Sequence, residues 1–148
     1  MMQFLEYFFT RGDAKFLASL GLNCVRIPIN HRHFMDDEQD FAMKEQGFKL
    51  VDRVVEACAA EGLYTVLDMH TFPGGQNAGW HSDSGVHRSL FWENKDLQDR
   101  SIKMWVEIAK RYVGNTWVSC HDQWWPQIST SFTASSAGAS LLAKLVYA

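Results

Sequence analysis

Cys24-Val-Arg-Ile-Pro-Ile29 and Tyr64-Thr-Val-Leu-Asp-Met69 decide the fold. Both runs are short, rich in β-branched residues and nearly all apolar, as strands covered on both faces are. Between them, Gly47 to Ala60 places Phe48, Val51, Val54, Val55 and Cys58 on one helical face. Lys49, Asp52, Arg53 and Glu56 lie largely opposite, and Gly62 ends the helix. Upstream, Thr10 and Asp13 have the spacing of a capping box, with Asp in place of the usual Glu or Gln. Phe16, Leu17 and Leu20 follow on one face, and Gly21 is a natural stop. Downstream, a third helix capped near Asp96 carries Leu97, Ser101, Met104, Trp105, Ile108 and Tyr112 on one side and stops at Gly114.

The order helix, strand, helix, strand, helix signals a parallel sheet, because parallel strands need helical crossovers. The connections are uneven. Each helix returns to its next strand in a few residues, whereas each strand reaches its next helix through a long segment, Asn30 to Gln46 and then His70 to Lys95. Elaborate loops on one rim and tight turns on the other predict an α/β fold of the (β/α)8 barrel type. A doubly wound open sheet shows this asymmetry less strongly. The sequence holds about two to three such strands, so the expectation is a partial barrel over residues 1–119. Residues 120–148 read as a divergent, disordered tail, since Ser129 to Ser140 is mostly Ser, Thr, Ala and Gly.

At 148 residues, 47% hydrophobic and 21% charged, the chain reads as globular. Its net charge of -3 gives no reason to expect nucleic acid or an anionic membrane as partner. Cys24, Cys58 and Cys120 are too scattered for a disulfide framework or a zinc knuckle, and the two in apolar segments read as buried thiols. Met1 to Phe9 is interrupted by Glu6 and has no basic leader, which makes it a poor signal peptide. No apolar run is long enough to span a bilayer.

Arg26 stands inside an otherwise apolar strand and needs a carboxylate or a ring of acceptors nearby. It reads either as half of a structural ion pair or as a group at a barrel mouth that orients a catalytic carboxylate. Alternation sends Asp68 and His70 to one side at the end of the second strand, where barrels hold substrate groups. The loop from Thr71 to Asp83 combines glycine hinges, the amides of Gln76 and Asn77, and the indole of Trp80. Sugars are bound by stacking on such rings while hydroxyls bond to amides and carboxylates. Trp80, Phe91 and Trp92 are candidate platforms, with loop packing the better reading of Phe91 and Trp92. His31, His33, Asp36, Asp37 and Glu38 match no metal-ligand spacing and read as a solvated loop, and no cofactor is expected.

Taken together, Val25-Arg-Ile-Pro-Ile29, Leu67-Asp-Met-His70, Pro73-Gly-Gly-Gln-Asn77 and Trp80-His-Ser-Asp83 resemble glycoside hydrolase family 5, the cellulases and exo-β-glucanases, in its fungal form. The likeness runs from about Tyr7 to Val118. It implies a (β/α)8 barrel that hydrolyses O-glycosyl bonds of β-glucans or β-glucosides with retention. It further implies that Arg26 supports the nucleophile and that His70 binds the sugar at the cleavage point. Asn77, Trp80 and Asp68 complete the supporting and substrate-binding set. The family tends to have Tyr where His31 stands.

Retention needs two glutamic acids about 5 Å apart. The acid of this family sits in Asn-Glu-Pro, and none of Pro28, Pro73 or Pro126 follows Asn-Glu. The family pattern stops after Trp117-Val118, and Glu56, Glu61, Glu93 and Glu107 lie on helices or a loop away from strand ends. The first barrel strand belongs before Thr10, where Met1 to Phe9 matches one poorly. The sequence therefore reads as a truncated or out-of-frame product without its catalytic pair, inactive by itself. The alternatives are a sugar-binding remnant and an unrelated aldolase-like or metal-dependent barrel, the last lacking a strand-end lysine or ligand cluster.

Overall fold

The computed structural model describes residues 4, 7–36 and 42–121. In chain order these form α1 (Arg11–Ser19), β1 (Cys24–Asn30), α2 (Glu45–Ala59), β2 (Tyr64–Thr71), the single-turn α3 (Leu90–Glu93), α4 (Lys95–Tyr112) and β3 (Val118–His121). The strands make one sheet in the order β1-β2-β3, and both pairings are parallel. Cys24 to Ile29 pair with Tyr64 to Met69, and Thr65 to Asp68 pair with Val118 to His121. The parallel α/β expectation holds, and β3 continues two residues past Ser119. From residue 122 the expected tail lies outside the described residues.

The helices cover one face of the sheet. Ile29, Leu67, Met69 and Val118 meet Phe48, Val51 and Val55 of α2 and Met104, Trp105, Ile108 and Tyr112 of α4 in one buried cluster. Each fully buried side chain of this size contributes roughly 1.5–3 kcal/mol relative to exposure. A second, smaller cluster joins Ala14 of α1 to Cys58 and Leu63, with Leu17, Ala18, Val25 and Val54 around it.

Three local expectations need correction. The buried stripe of α1 is Ala14, Leu17 and Ala18, while Phe16 and Leu20 are exposed. The small alanines let α1 approach α2 closely, which a stripe through Phe16 would prevent. The cap of α4 is Asn94, whose Oδ1 accepts from the Asp96 N–H at 3.1 Å. The strand β1 is not covered on both faces. Val25, Ile27 and Ile29 turn toward the helices, whereas Cys24, Arg26 and Pro28 are exposed on the opposite face. That face is the one a closed barrel turns inward, and no described strand lies across from it. Cys24 is accordingly an exposed thiol and Cys58 a buried one. The capping box of α1 is present as read, with Thr10 N–H donating to Asp13 Oδ2 at 2.8 Å. Tyr7 and Phe8 are helical. No helix among the described residues is long and apolar enough to cross a membrane.

Candidate active site

Parallel strands deliver their C-terminal ends to the same rim. The β1–β2 register sets Arg26 beside Val66 and Pro28 beside Asp68, and strand alternation turns Arg26, Asp68 and His70 to one face. Arg26 Nη2 donates to Asp68 Oδ2 at 2.6 Å, and His70 Nδ1 lies 3.1 Å from the same oxygen. Arg26 Nη2 and His70 Nδ1 are 3.5 Å apart. The Asp68 side chain is 3% exposed, against 46% for Arg26 and 41% for His70. A buried carboxylate is thus held by two groups that reach the open face, which offsets its desolvation. The carboxylate only accepts, so the Nδ1 of His70 carries the hydrogen and its Nε2 is the acceptor.

The segment after β2 is built around amides. Gly74 and Gly75 turn it with φ of 77° and 72°. A Cβ on Gly75 would meet the Ser84 Cβ at 2.5 Å, so this turn needs glycine on both counts. Gln76 is buried; its Nε2 donates to His70 O at 2.7 Å and its Oε1 accepts from Phe72 N–H at 3.2 Å. Trp92 Nε1 donates to Gln76 O at 2.8 Å, and Phe91 packs on Phe72 with ring centroids 4.8 Å apart. Phe91 and Trp92 therefore pack the loop. Trp80, in contrast, is 88% exposed on the rim.

Asn77 spends its amide inside the loop. Its Oδ1 accepts from Gly79 N–H at 2.7 Å, and its Nδ2 faces His81 Nε2 at 2.9 Å. Ser82, fully buried, shares its one hydroxyl hydrogen between Asn77 O and Gly79 O, at 2.5 and 2.8 Å. Asp83 closes the segment against the other loop: its Oδ2 accepts from Asn30 Nδ2 at 2.9 Å and lies 3.1 Å from Arg32 Nε. The structure brings Arg26, Asp68 and His70 together and sets Trp80 and Asn77 in the adjoining loop.

Residues that the sequence did not single out are Gln76's role as the loop's anchor, the Asn30–Asp83 strap, and His81, 6.3 Å from His70 between ring centroids. The run Gly-Gly-Gln-Asn signals that the segment is organised by amides; it does not say which partners they take. His31, expected in a solvated loop, is instead buried, with Nδ1 3.3 Å from Thr71 Oγ1, and Asp36 lies 3.8 Å from Lys44 Nζ. Asp37 and Glu38 lie outside the described residues, among which no three potential ligands gather around a metal position. Glu61, which lies in the turn after α2 and not on the helix, and Glu107 of α4 pair with Arg11 and Lys110, both at 2.7 Å.

A parallel α/β layer with short returns below and long polar loops above defines a piece of a barrel-type α/β protein. The chain belongs to the family Cellulase (glycosyl hydrolase family 5), whose sequence pattern matches residues 6–121. It is 58% identical over 117 residues to a beta-xylosidase from Phanerodontia chrysosporium and 36% identical over 112 residues to cellodextrinase A from Ruminococcus flavefaciens. These matches cover 79% and 76% of this chain but only 25% and 31% of the relatives, so the chain spans about a quarter to a third of their length. Among solved structures, a glycoside hydrolase superposes with a TM-score of 0.68 at 22% identity, over 92% of this chain and 43% of that one. The endoglucanase of the hyperthermophilic Thermotoga maritima superposes with a TM-score of 0.63 at 17% identity, over 93% and 41%. At such identities the structures establish the shared fold. It is that of the barrel enzymes of this family.

Proposed function

We propose that this chain supplies the sugar-binding rim of a retaining hydrolase of β-glucans or β-glucosides, and that by itself it binds such sugars without cleaving them. The observation that carries the reading is the Arg26–Asp68–His70 cluster at the C-terminal rim, 2.6 and 3.1 Å about one carboxylate oxygen. In this reading His70 contacts the sugar at the cleavage point, Arg26 steadies the nucleophile of a longer chain, and Trp80 stacks on a pyranose face. Asp68 holds the first two in place, and Asn77 acts through the loop it organises.

Cleavage with retention requires an acid and a nucleophile about 5–5.5 Å apart. Among the described residues, the carboxylates beside this cluster, Asp68 and Asp83, are occupied by Arg26 and Arg32. A carboxylate bound in this way positions its neighbours. The sequence offers no Asn-Glu-Pro to supply the missing acid. The relatives' names, which include beta-xylosidase, cellodextrinase A and glucan 1,3-beta-glucosidase, set the panel to be tried.

The test is a tryptophan-fluorescence titration of the 148-residue chain with cellobiose, laminaribiose and xylobiose, alongside an assay on an aryl β-glucoside. Saturable quenching at millimolar disaccharide with no release of the aryl group is the expected result. An unchanged spectrum with all three sugars removes the binding role. Release of the aryl group above background by the pure chain removes the claim that it does not cleave.

A further inference from the structure

The geometry points to His81 as a second sugar-reading imidazole, paired with His70 so that one ring accepts and the other donates to the hydroxyls of a single pyranose unit. This rests on the sugar-binding reading above and adds to it a residue and a hydrogen-bond polarity.

The polarity follows from the partners. Gly79 N–H can only donate, so the Asn77 atom facing it is the carbonyl oxygen and the atom facing His81 is the amide nitrogen. His81 Nε2 therefore accepts, and in the neutral ring its hydrogen sits on Nδ1. That nitrogen has no protein partner among the described residues. The neighbouring ring is the mirror case. Asp68 takes the hydrogen on His70 Nδ1, leaving Nε2 as the acceptor. Two imidazoles with ring centroids 6.3 Å apart thus offer one donor and one acceptor. A hydroxyl group both gives and takes a hydrogen bond, which makes a polyol the matching ligand class.

The loop is shaped to hold this ring. A Cβ on Gly79 would come within 2.7 Å of His81 Cε1 and 2.9 Å of Asn77 Oδ1, so the imidazole lies where any other residue at 79 would put its side chain. The Trp80 ring stands edge-on to it, at 86° and 6.1 Å between centroids. Ser82 underneath is fully buried and bonded to both flanking carbonyls. An imidazole held this firmly on an exposed rim, beside an exposed indole, is arranged for a ligand and not for packing.

The experiment uses the full 148-residue chain with cellobiose as the probe, read by tryptophan fluorescence and by calorimetry. His81→Ala is expected to raise Kd about tenfold, the loss of one hydrogen bond made in a partly desolvated site. His81→Asn keeps an N–H near the Nδ1 position and is expected to recover most of that loss. Gly79→Ala, which displaces the ring without removing it, is expected to behave like His81→Ala at unchanged circular dichroism. If the unaltered chain binds and His81→Ala and Gly79→Ala both bind within twofold of it, His81 has no part in recognition and only this inference falls. If the unaltered chain binds no cellobiose, laminaribiose or xylobiose, the sugar-binding reading falls and this one with it.

Discussion

Arg26 Nη2 and Asp68 Oδ2 are 2.6 Å apart although the two residues are not register partners: Arg26 lies beside Val66, and the guanidinium reaches one pleat along β2 to the carboxylate. The pair is asymmetric in burial, at 46% and 3% side-chain exposure. Removing either partner therefore has a different cost. Arg26→Met strands a buried carboxylate with His70 as its remaining partner and is expected to destabilise by about 2–3 kcal/mol. Asp68→Asn keeps an acceptor and leaves a guanidinium that water reaches, at about 1 kcal/mol. Urea denaturation of the two variants gives the order, and the reverse order would mean that the pair is not organised around Asp68.

Trp80 separates binding from stability. At 88% exposure it makes little contribution to packing, so Trp80→Ala is expected to shift stability by no more than about 0.5 kcal/mol. Stacking and its buried area are worth about 1–2 kcal/mol against a sugar face, so the disaccharide Kd should rise about tenfold. A variant that binds as well as the parent would show that the indole is an idle surface group.

The turn before the amides is strained for any residue but glycine. Gly75 has φ of 72°, and a Cβ there would meet the Ser84 Cβ at 2.5 Å. Gly75→Ala is expected to cost about 1–3 kcal/mol and to weaken sugar binding as well, since Gln76 and Asn77 follow directly. Thermal melts and the fluorescence titration should change together. Lost stability with unaltered affinity would uncouple the turn from the site.

Period-2 alternation was enough to put Asp68 and His70 on one face, because a strand offers only two choices of side; that Arg26 shares this face follows from the β1–β2 register, which no single strand's sequence fixes. The stripe on α4 was equally plain, since its large residues recur at helical spacing and find the sheet. Exposure along β1 was not legible. It depends on what lies across the inner face of the sheet, and the same apolar run suits a strand covered on one side or on both. In α1 the short alanines outcompeted Phe16, a choice made by the approach of α2 and not by hydrophobicity. The bonds from Asn77 to His81 and from Asn30 to Asp83 are settled by loop geometry, the latter across 53 residues, and no local pattern encodes them.

The layer beneath the site has its own pH dependence. Asp52 of α2 accepts from Arg111 Nη2 at 2.6 Å and from Tyr112 Oη at 2.8 Å, both on α4, while Arg111 also bonds Glu45 at 2.8 Å. Burial pushes the Asp52 carboxyl up, but the bonds from Arg111 and Tyr112 and the charge of Arg111 outweigh it and leave it below the ordinary 3.8. The same contacts hold the Arg111 guanidinium protonated well above its usual range. With the folded value depressed, the unfolded chain binds the proton more readily. The contribution of Asp52 is therefore fully present above pH 3.8 and is lost as pH falls below it toward the folded value. Asp52→Asn is expected to cost about 1–2 kcal/mol at neutral pH. Urea midpoints of parent and variant should converge as pH drops below 3.8, because the parent loses there what the variant never had. A gap that stays constant from pH 7 down to about pH 3 would show that packing of Tyr112, not the carboxylate, joins α2 to α4.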